Sequence, residues 1–266
     1  ILLMAVFLSA GLWGCQEGSG QSGSKDGQES VSSSQIPDYD GEMTIVLDNN
    51  EPDFDPDDLT EKSYESYSEL DEEGRCQAAE ACVGKDIMPT EDRGAIGMVK
   101  PTGWHTVKYD NVDGKYLYNR CHLIAFQLTG ENANRKNLIT GTRSFNVDGM
   151  LPYEEMVGDY VRETGNHVLY RVTPVFEGDD LVAKGVQMEA MSVEDEGEDI
   201  EFNVFVYNVQ DGIEIDYETG ESRLSSEKED TTEASSKEEE IRGNRRSKVY
   251  HCPGQRDYEK MADSKN

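Results

Sequence analysis

The sequence has few positively charged residues, with 25 lysines and arginines against 55 aspartates and glutamates in 266 residues. The resulting net charge of -30 argues against nucleic-acid binding by the chain as a whole, because phosphates attract cations. The deficit is uneven: positions 85–176 hold eleven basic and eleven acidic residues, so that segment is neutral. Any anion-binding site is therefore expected in the middle of the chain.

Apolar residues are also scarce, because the hydrophobic content of 35% lies below that of typical globular chains. Two segments contribute to this scarcity. Residues 16–40 are rich in Gly and Ser, as in a flexible linker, and the stretch from Glu218 to Arg242 is too acidic and polar to bury a core. We predict a folded domain at 41–222 and an acidic disordered linker at 223–243, followed by a partial C-terminal module or tail at 244–266.

No apolar run is long enough to span a bilayer comfortably, since about 20 residues are needed. The run Ile1–Trp13 instead fits the core of an export signal, and Leu12-Trp13-Gly14-Cys15 is similar to a bacterial lipobox. We predict that residues 1–15 are a lipoprotein signal and that Cys15 is acylated, which would hold the protein on the outer side of a bacterial membrane. The alternative is a buried core helix, but a Gly/Ser linker directly after Cys15 favours a tether.

The other four cysteines do not form a recognisable metal motif, because the sequence has no C-x-x-C pair or Cys/His cluster typical of zinc. Outside the cytosol, a bridge between Cys76 and Cys82 remains open.

The patterns within 41–222 predict an α+β domain, because strands occur in runs with few helices. A helix is predicted at 152–165, with Pro152 in its first turn and Gly165 at its end. A short helical turn is expected to end at Gly130. Strands are predicted at 43–47 and 201–209, a hairpin at 104–118, and two strands within 167–193 around the sequence Glu-Gly-Asp-Asp.

The stretch YLYNRCHLIAFQLTGENANRKNLITGTRSFN, at 116–146, combines Arg, Asn and a His inside an apolar run. Arg120 and His122 are two positions apart, so on an extended chain their side chains share one face, which suits a phosphate. Cys121 points the other way, which indicates a packing residue and not a nucleophile paired with His122. The alternative for His122 is a core histidine bonded to a main-chain carbonyl.

Asn119-Arg120-Cys121-His122 resembles the Asp-Arg-Gly-His motif of the DNA/RNA non-specific endonucleases, the ββα-metal nucleases. The segment 119–146 and the following YEEMV helix are similar, in that order, to the secreted and surface nucleases of Gram-positive bacteria. The resemblance runs from about Gly41 to about Ser222. Asn119 and Cys121 depart from the motif, which has Asp and Gly there.

The resemblance implies a ββα-metal core with an antiparallel sheet, and roles for five residues. His122 corresponds to the general base, Asn146 to the metal ligand, Glu154 to the residue supporting the water shell of the metal, and Arg120 to the motif's arginine. Arg143, beside the site, is expected to contact a phosphate, and Arg93 is a weaker candidate for a second contact. The structural alternative for Asn146 is a turn residue. For Glu154 it is a carboxylate that only stabilises the N-terminus of its helix through the helix dipole.

These roles predict Mg²⁺-dependent hydrolysis of DNA or RNA without sequence specificity, with Mn²⁺ as an alternative metal. A neutral histidine can take a proton from water near pH 7. The rival hypothesis is a surface lipoprotein of nuclease fold that binds nucleic acid or a cell-wall partner without catalysis. The sequence does not indicate whether a protein inhibitor exists.

Overall fold

The computed structural model describes residues 31–225, together with 242–243 and 250–251. The predicted signal, Cys15 and most of the predicted C-terminal linker and tail lie outside these residues. Among the described residues, no helix is long and apolar enough to cross a membrane. The strands are β1 Thr44–Val46, β2 Tyr64–Tyr67, β3 Ala79–Val83, β4 Tyr118–His122, β5 Leu138–Thr142, β6 Val168–Val175, β7 Gly185–Ser192, β8 Glu201–Tyr207, β9 Ile213–Ile215, β10 Ser222–Leu224, β11 Arg242–Gly243 and β12 Tyr250–His251.

Helices are few, as the α+β prediction requires. The α-helices are α1 Phe126–Thr129 and α2 Leu151–Thr164, and a π-helical turn, Phe145–Met150, leads directly into α2. Short 3-10 turns occupy Ser33–Gln35, Asp48–Asn50, Pro56–Asp58 and Arg135–Asn137. Gly130 and Gly165 end the two α-helices in the left-handed conformation, so both predicted helix ends are confirmed.

A six-stranded antiparallel sheet in the order β1-β8-β7-β6-β3-β2 forms the centre of the domain. Beside it, β4 and β5 pair as a separate antiparallel hairpin, and β9 pairs with β10. Strand β10 extends to Leu224, just beyond the predicted domain end at 222. At the N-terminal end of the domain, Pro37 and Tyr39 belong to the predicted linker but contact Tyr207 of the sheet.

The main core lies between α2 and one face of the sheet. Alternate residues of β6 and β8, such as Tyr170 and Phe202, pack there against Val157 and Tyr160 of α2. The other face of the sheet is covered by residues 48–59, where Phe54 and Leu59 contribute apolar contacts. With both faces buried, the central strands carry apolar side chains at most positions.

The bridge between Cys76 and Cys82, which the sequence left open, is not formed. Cys76 and Cys82 are free thiols; Cys76 packs in the main core, whereas Cys82 packs on the other face of the sheet. The predicted hairpin at 104–118 forms over a shorter stretch, 107–117, around the antiparallel bridge between Lys108 and Tyr116. Its turn at Val-Asp-Gly is closed by a hydrogen bond of 2.9 Å from the amide of Lys115 to the carbonyl of Val112. Contacts with Ile213 in a small second core also hold this segment.

Gly185 offers a test of the sheet packing. An added Cβ there would overlap the main-chain carbonyl oxygen of Val206 on the neighbouring strand. We expect Gly185→Ala to lower the free energy of unfolding by about 1–3 kcal/mol, the usual cost of overpacking. The measurement is urea denaturation followed by circular dichroism. Gly97→Ala, where an added Cβ meets nothing within 4 Å, is the control. Equal stability of both variants would contradict the packing described here.

Candidate active site

The hairpin of β4 and β5 places His122 at the end of a strand and beside the main core. His122 pairs with Leu138, and Arg120 pairs with Thr140. Between them, Cys121 is completely buried in the main core, and this burial holds the pKa of its thiol well above the usual range. The prediction that Cys121 is a packing residue is thus confirmed.

His122 is only 7% exposed, and both of its ring nitrogens have partners. Nε2 lies 2.8 Å from the carbonyl oxygen of Asn132, so Nε2 carries the proton and donates it to that carbonyl. Nδ1 is then the basic nitrogen, and Nη2 of Arg93 lies 3.2 Å from it. The pKa of His122 is lowered to about 4: burial is the largest cause, the Asn132 hydrogen bond opposes it, and the positive charge of Arg93 adds to the lowering. His122 is therefore a neutral base at pH 7.

Asn146 and Glu154 come to the same cleft from the π-helical turn and the first turn of α2. The turn begins where the hydroxyl of Thr142 accepts a hydrogen bond of 3.0 Å from the amide of Phe145. It passes close to the sheet at Gly149, where a larger residue would overlap Val206. Single π-helical turns often occur at functional sites. Here the turn brings Asn146 and Glu154 to the cleft that His122 also lines.

The Glu154 carboxyl has an unusually high affinity for a proton. Burial raises its pKa to about 8, with Glu155 adding to the shift and Arg93 opposing it. A cation in the cleft would lower the pKa of Glu154, as Arg93 does, because positive charge favours the carboxylate. The cleft thus contains a partly buried carboxyl whose ionised form a bound cation would stabilise.

The residues of the cleft fit an ion that is held by few protein ligands. Within 31–225 and the two short C-terminal pieces, no three His, Cys, Asp or Glu side chains are grouped to hold a metal. Asn146 and Glu154 offer oxygen atoms, which are the ligands that Mg²⁺ prefers while it keeps several waters. This donor set suits Mg²⁺ or Mn²⁺ better than a zinc site built from Cys and His.

Arg120 lines the cleft, but its guanidinium is largely committed to the protein. Nε donates to the carbonyl of Val99 at 2.5 Å, Nη2 donates to that of Gly97 at 3.1 Å, and the group stacks 3.9 Å from the ring centre of Trp104. Arg120 therefore ties the 97–104 loop to β4. Only its remaining N–H groups are left for the predicted phosphate contact.

Arg143 also lines the cleft, and its guanidinium forms an ion pair with a carboxylate. Its Nη2 lies 2.9 Å and its Nε 3.2 Å from Oδ2 of Asp113, in the segment before β4. The side chains are 36% and 81% exposed, respectively, so the pair is open to solvent and to an incoming anion. A phosphate on Arg143 would compete with Asp113.

Sequence reasoning underestimated Arg93 and missed Asn132. Arg93 lies 29 positions before His122 in a loop, so no local pattern reveals their contact. Asn132 acts through its main-chain carbonyl, which every residue has, and its side chain gives no signal of that role.

Together these groups form one cleft of 630 Å³, in which a neutral base, an amide oxygen, a carboxyl and arginines face the same space. The hairpin followed by α2 is a ββα unit, and the arrangement is that of the ββα-metal nucleases. The pattern that defines the DNA/RNA non-specific endonuclease family matches residues 57–194, which is more than half of the chain. The chain belongs to that family.

Solved structures show the same fold. NucA from Streptococcus agalactiae, solved with a magnesium ion bound, is 29% identical with a TM-score of 0.61, covering 68% of this chain and 87% of NucA. The Sda1 nuclease, solved with a zinc ion bound, is 26% identical with a TM-score of 0.56, covering 70% of this chain and 97% of Sda1. A curated deoxyribonuclease from Streptococcus dysgalactiae subsp. equisimilis is 34% identical over 110 residues, which span 40% of this chain but only 32% of that relative.

The contact between Arg93 and His122 predicts a shift in the titration of His122. Arg93→Gln removes a positive charge that lowers the pKa of His122, so the pKa should rise from about 4 towards the ordinary value of 6.5. Burial is the larger cause and stays, so the shift should be partial. His122 would then become protonated at a higher pH than in the unchanged protein. The measurement is an NMR titration of the His122 ring protons without metal. Arg135→Gln, a change of the same charge outside the cleft lining, is the control, and an unchanged or lower pKa in Arg93→Gln would contradict the contact.

The Asp113–Arg143 pair predicts that a carboxylate weakens anion binding. Asp113→Asn should tighten the binding of an oligonucleotide roughly two- to five-fold at low salt, since exposed ion pairs contribute about 0.2–1 kcal/mol. The measurement is fluorescence anisotropy in EDTA. Glu69→Gln makes the same change of charge where Glu69 pairs with Lys136 at 2.5 Å, apart from the cleft lining, and serves as the control. The idea fails if the two variants bind equally.

Proposed function

We propose that the protein is a metal-dependent endonuclease that hydrolyses phosphodiester bonds of DNA, and of RNA, without sequence specificity. The observation that carries this proposal is the shared cleft of His122, Asn146 and Glu154, in which the basic nitrogen of His122 faces away from its Asn132 anchor. Membership of the family and the similarity to NucA and Sda1 support the same reaction.

His122 would accept a proton from the attacking water at Nδ1. The Nε2 hydrogen bond to Asn132 fixes the tautomer and the ring orientation that this step needs. With its pKa near 4, His122 is unprotonated across the neutral range and ready to act as a base. Such general base catalysis typically contributes about 10²- to 10⁴-fold.

Arg93 and Arg143 would hold the phosphate by charge-assisted hydrogen bonds. Arg93 is already within 3.2 Å of Nδ1, so a phosphate oxygen on Arg93 would lie beside the basic nitrogen. Contacts of this kind reach the sugar-phosphate backbone and not the base edges, so cleavage would not depend on sequence.

The metal would be held by Asn146, with Glu154 supporting its waters. Bound there, Mg²⁺ would stabilise negative charge on the phosphate and on the leaving oxygen. Magnesium is the first choice because NucA was solved with it and because an amide and a carboxyl suit it, with Mn²⁺ as an alternative.

The location that we propose rests on the sequence alone. The lipobox-like Leu12-Trp13-Gly14-Cys15 and the Gly/Ser-rich segment after it favour a lipid-anchored protein on the bacterial surface. DNA or RNA outside the cell would then be the substrate.

The rival function is a surface lipoprotein of the same fold that binds without cleaving. It draws on the two departures from the family motif, Asn119 and Cys121. In the structure the side-chain amide of Asn119 donates through Nδ2 to the carbonyl of Thr142 at 3.5 Å, and Cys121 lies in the core. Neither contact disturbs the partners of His122, so the departures give the rival no support from the structure.

Cleavage of circular plasmid DNA tests the proposal. The protein should nick and then linearise the plasmid with Mg²⁺, and EDTA should abolish the reaction. His122→Ala should lower the rate by about 10²- to 10⁴-fold. His105→Ala is the matched control, because His105 is exposed and its Nε2 contacts the carbonyl of Thr219 at 3.1 Å, apart from the cleft lining. Cleavage by His122→Ala at the wild-type rate would refute this mechanism, and no cleavage by folded protein across Mg²⁺, Mn²⁺ and several salt concentrations would favour the rival.

A further inference from the structure

The segment 104–118 forms one wall of the cleft, and its aromatic residues differ in what they contact. Tyr118 donates its hydroxyl to the carbonyl of Gly220 at 2.9 Å, and Tyr109 shares a hydrogen bond of 2.8 Å with Ser222. Trp104 is half-buried beneath the Arg120 guanidinium. These three rings are part of the supporting structure.

Tyr116 is the exception. It lines the cleft, yet 48% of its surface is exposed. No hydrogen bond involves its hydroxyl in the described part of the chain, and the ammonium of Lys108 lies 4.3 Å from the ring centre. A large aromatic ring is thus presented to solvent at the edge of the cleft that holds His122.

The backbone around Tyr116 is fixed in place. Lys108 and Tyr116 face each other in an antiparallel bridge, and the amide of Tyr109 donates to the carbonyl of Lys115 at 2.9 Å. The amide of Leu117 donates to the carbonyl of Val107 at 3.2 Å, and Leu117 is completely buried in the second core. The backbone that carries the Tyr116 ring is therefore preorganised, so no backbone order has to be gained when a flat group stacks on the ring.

Cations near this wall are mostly neutralised by carboxylates. Lys115 pairs with Asp110 at 2.9 Å, and Arg143 pairs with Asp113 at 2.9 Å. Electrostatic attraction for a nucleic-acid strand is consequently limited here, and stacking on an aromatic face is a source of affinity that needs no net charge.

We propose that Tyr116 is a stacking subsite for an unpaired base, so that the cleft takes single-stranded nucleic acid more readily than duplex. The inference rests on the proposed function and names the substrate class of the same cleft. In a duplex each base is already stacked between its neighbours and is not free to present a face. In a single strand every base can turn a face to Tyr116, whatever its identity, while Lys108 lies close enough to meet the adjacent phosphate.

The test measures binding without cleavage. Full-length protein in EDTA is titrated into fluorescein-labelled oligo-dT and into a hairpin duplex of equal charge, and anisotropy gives both Kd values. Tyr116→Ala should weaken binding of oligo-dT by about ten-fold and that of the duplex less than two-fold. Tyr116→Trp, which keeps a flat ring, should retain wild-type binding of oligo-dT.

Tyr39→Ala is the control, because Tyr39 is similarly exposed at 37% but packs on Tyr207 apart from the cleft lining. Circular dichroism shows whether each variant is folded. Equal effects of Tyr116→Ala on both ligands, no effect on either, or failure of Tyr116→Trp to bind would overturn the stacking subsite. These outcomes are separate from the proposed function, whose failure shows as no plasmid cleavage by wild-type protein.

Discussion

Helix α2 buries its apolar side against the six-stranded sheet, and that contact determines where the groups of the cleft lie. Val157 and Tyr160 pack against sheet residues such as Tyr170 and Phe202. Since the π-helical turn runs directly into α2, the position of the helix also places Asn146 and Glu154. The same core holds Cys121. Because neighbouring residues of a strand point to opposite sides, His122 points away from that core and lines the cleft together with Glu154 of the first turn of α2.

The second face of the sheet shows how the protein accommodates buried charge. Arg171 and Glu189 pair at 2.8 Å with almost no exposure, which would be costly without further partners. Residues 53 and 54 supply them: Arg171 donates to the carbonyl of Asp53 at 2.7 Å, the amide of Asp53 donates to Glu189 at 2.9 Å, and Phe54 covers the guanidinium. The N-terminal part of the domain is thus held to the sheet by polar and apolar contacts together.

The cleft combines a neutral base with cations that are already engaged. Arg93 contacts His122, Arg120 binds the carbonyls of a loop, and Arg143 is paired with Asp113. In a chain of net charge -30, the site thus depends on a few placed arginines and not on a general basic surface. Affinity for nucleic acid should accordingly be modest and sensitive to salt.

Much of the fold follows from local sequence. The helix ends at Gly130 and Gly165, the strands around residues 168–192, and the opposite directions of Cys121 and His122 all arise from short-range geometry, which periodicity reports. The packing of the 107–117 hairpin was not predictable in this way, because its contacts with Ile213 join residues almost a hundred positions apart.

The sequence by itself determined the α+β class, the family resemblance and the set of residues around His122, because each depends on residue types at fixed spacing. Only the tertiary structure decided the partners: Arg93 on Nδ1 of His122, the Asn132 carbonyl on Nε2, Asp113 on Arg143, and loop carbonyls on Arg120. Three of these contacts join segments 20 to 30 positions apart, and two of the four use main-chain carbonyls, which every residue has. Such contacts form where separately folded segments pack together, and that packing depends on the whole core.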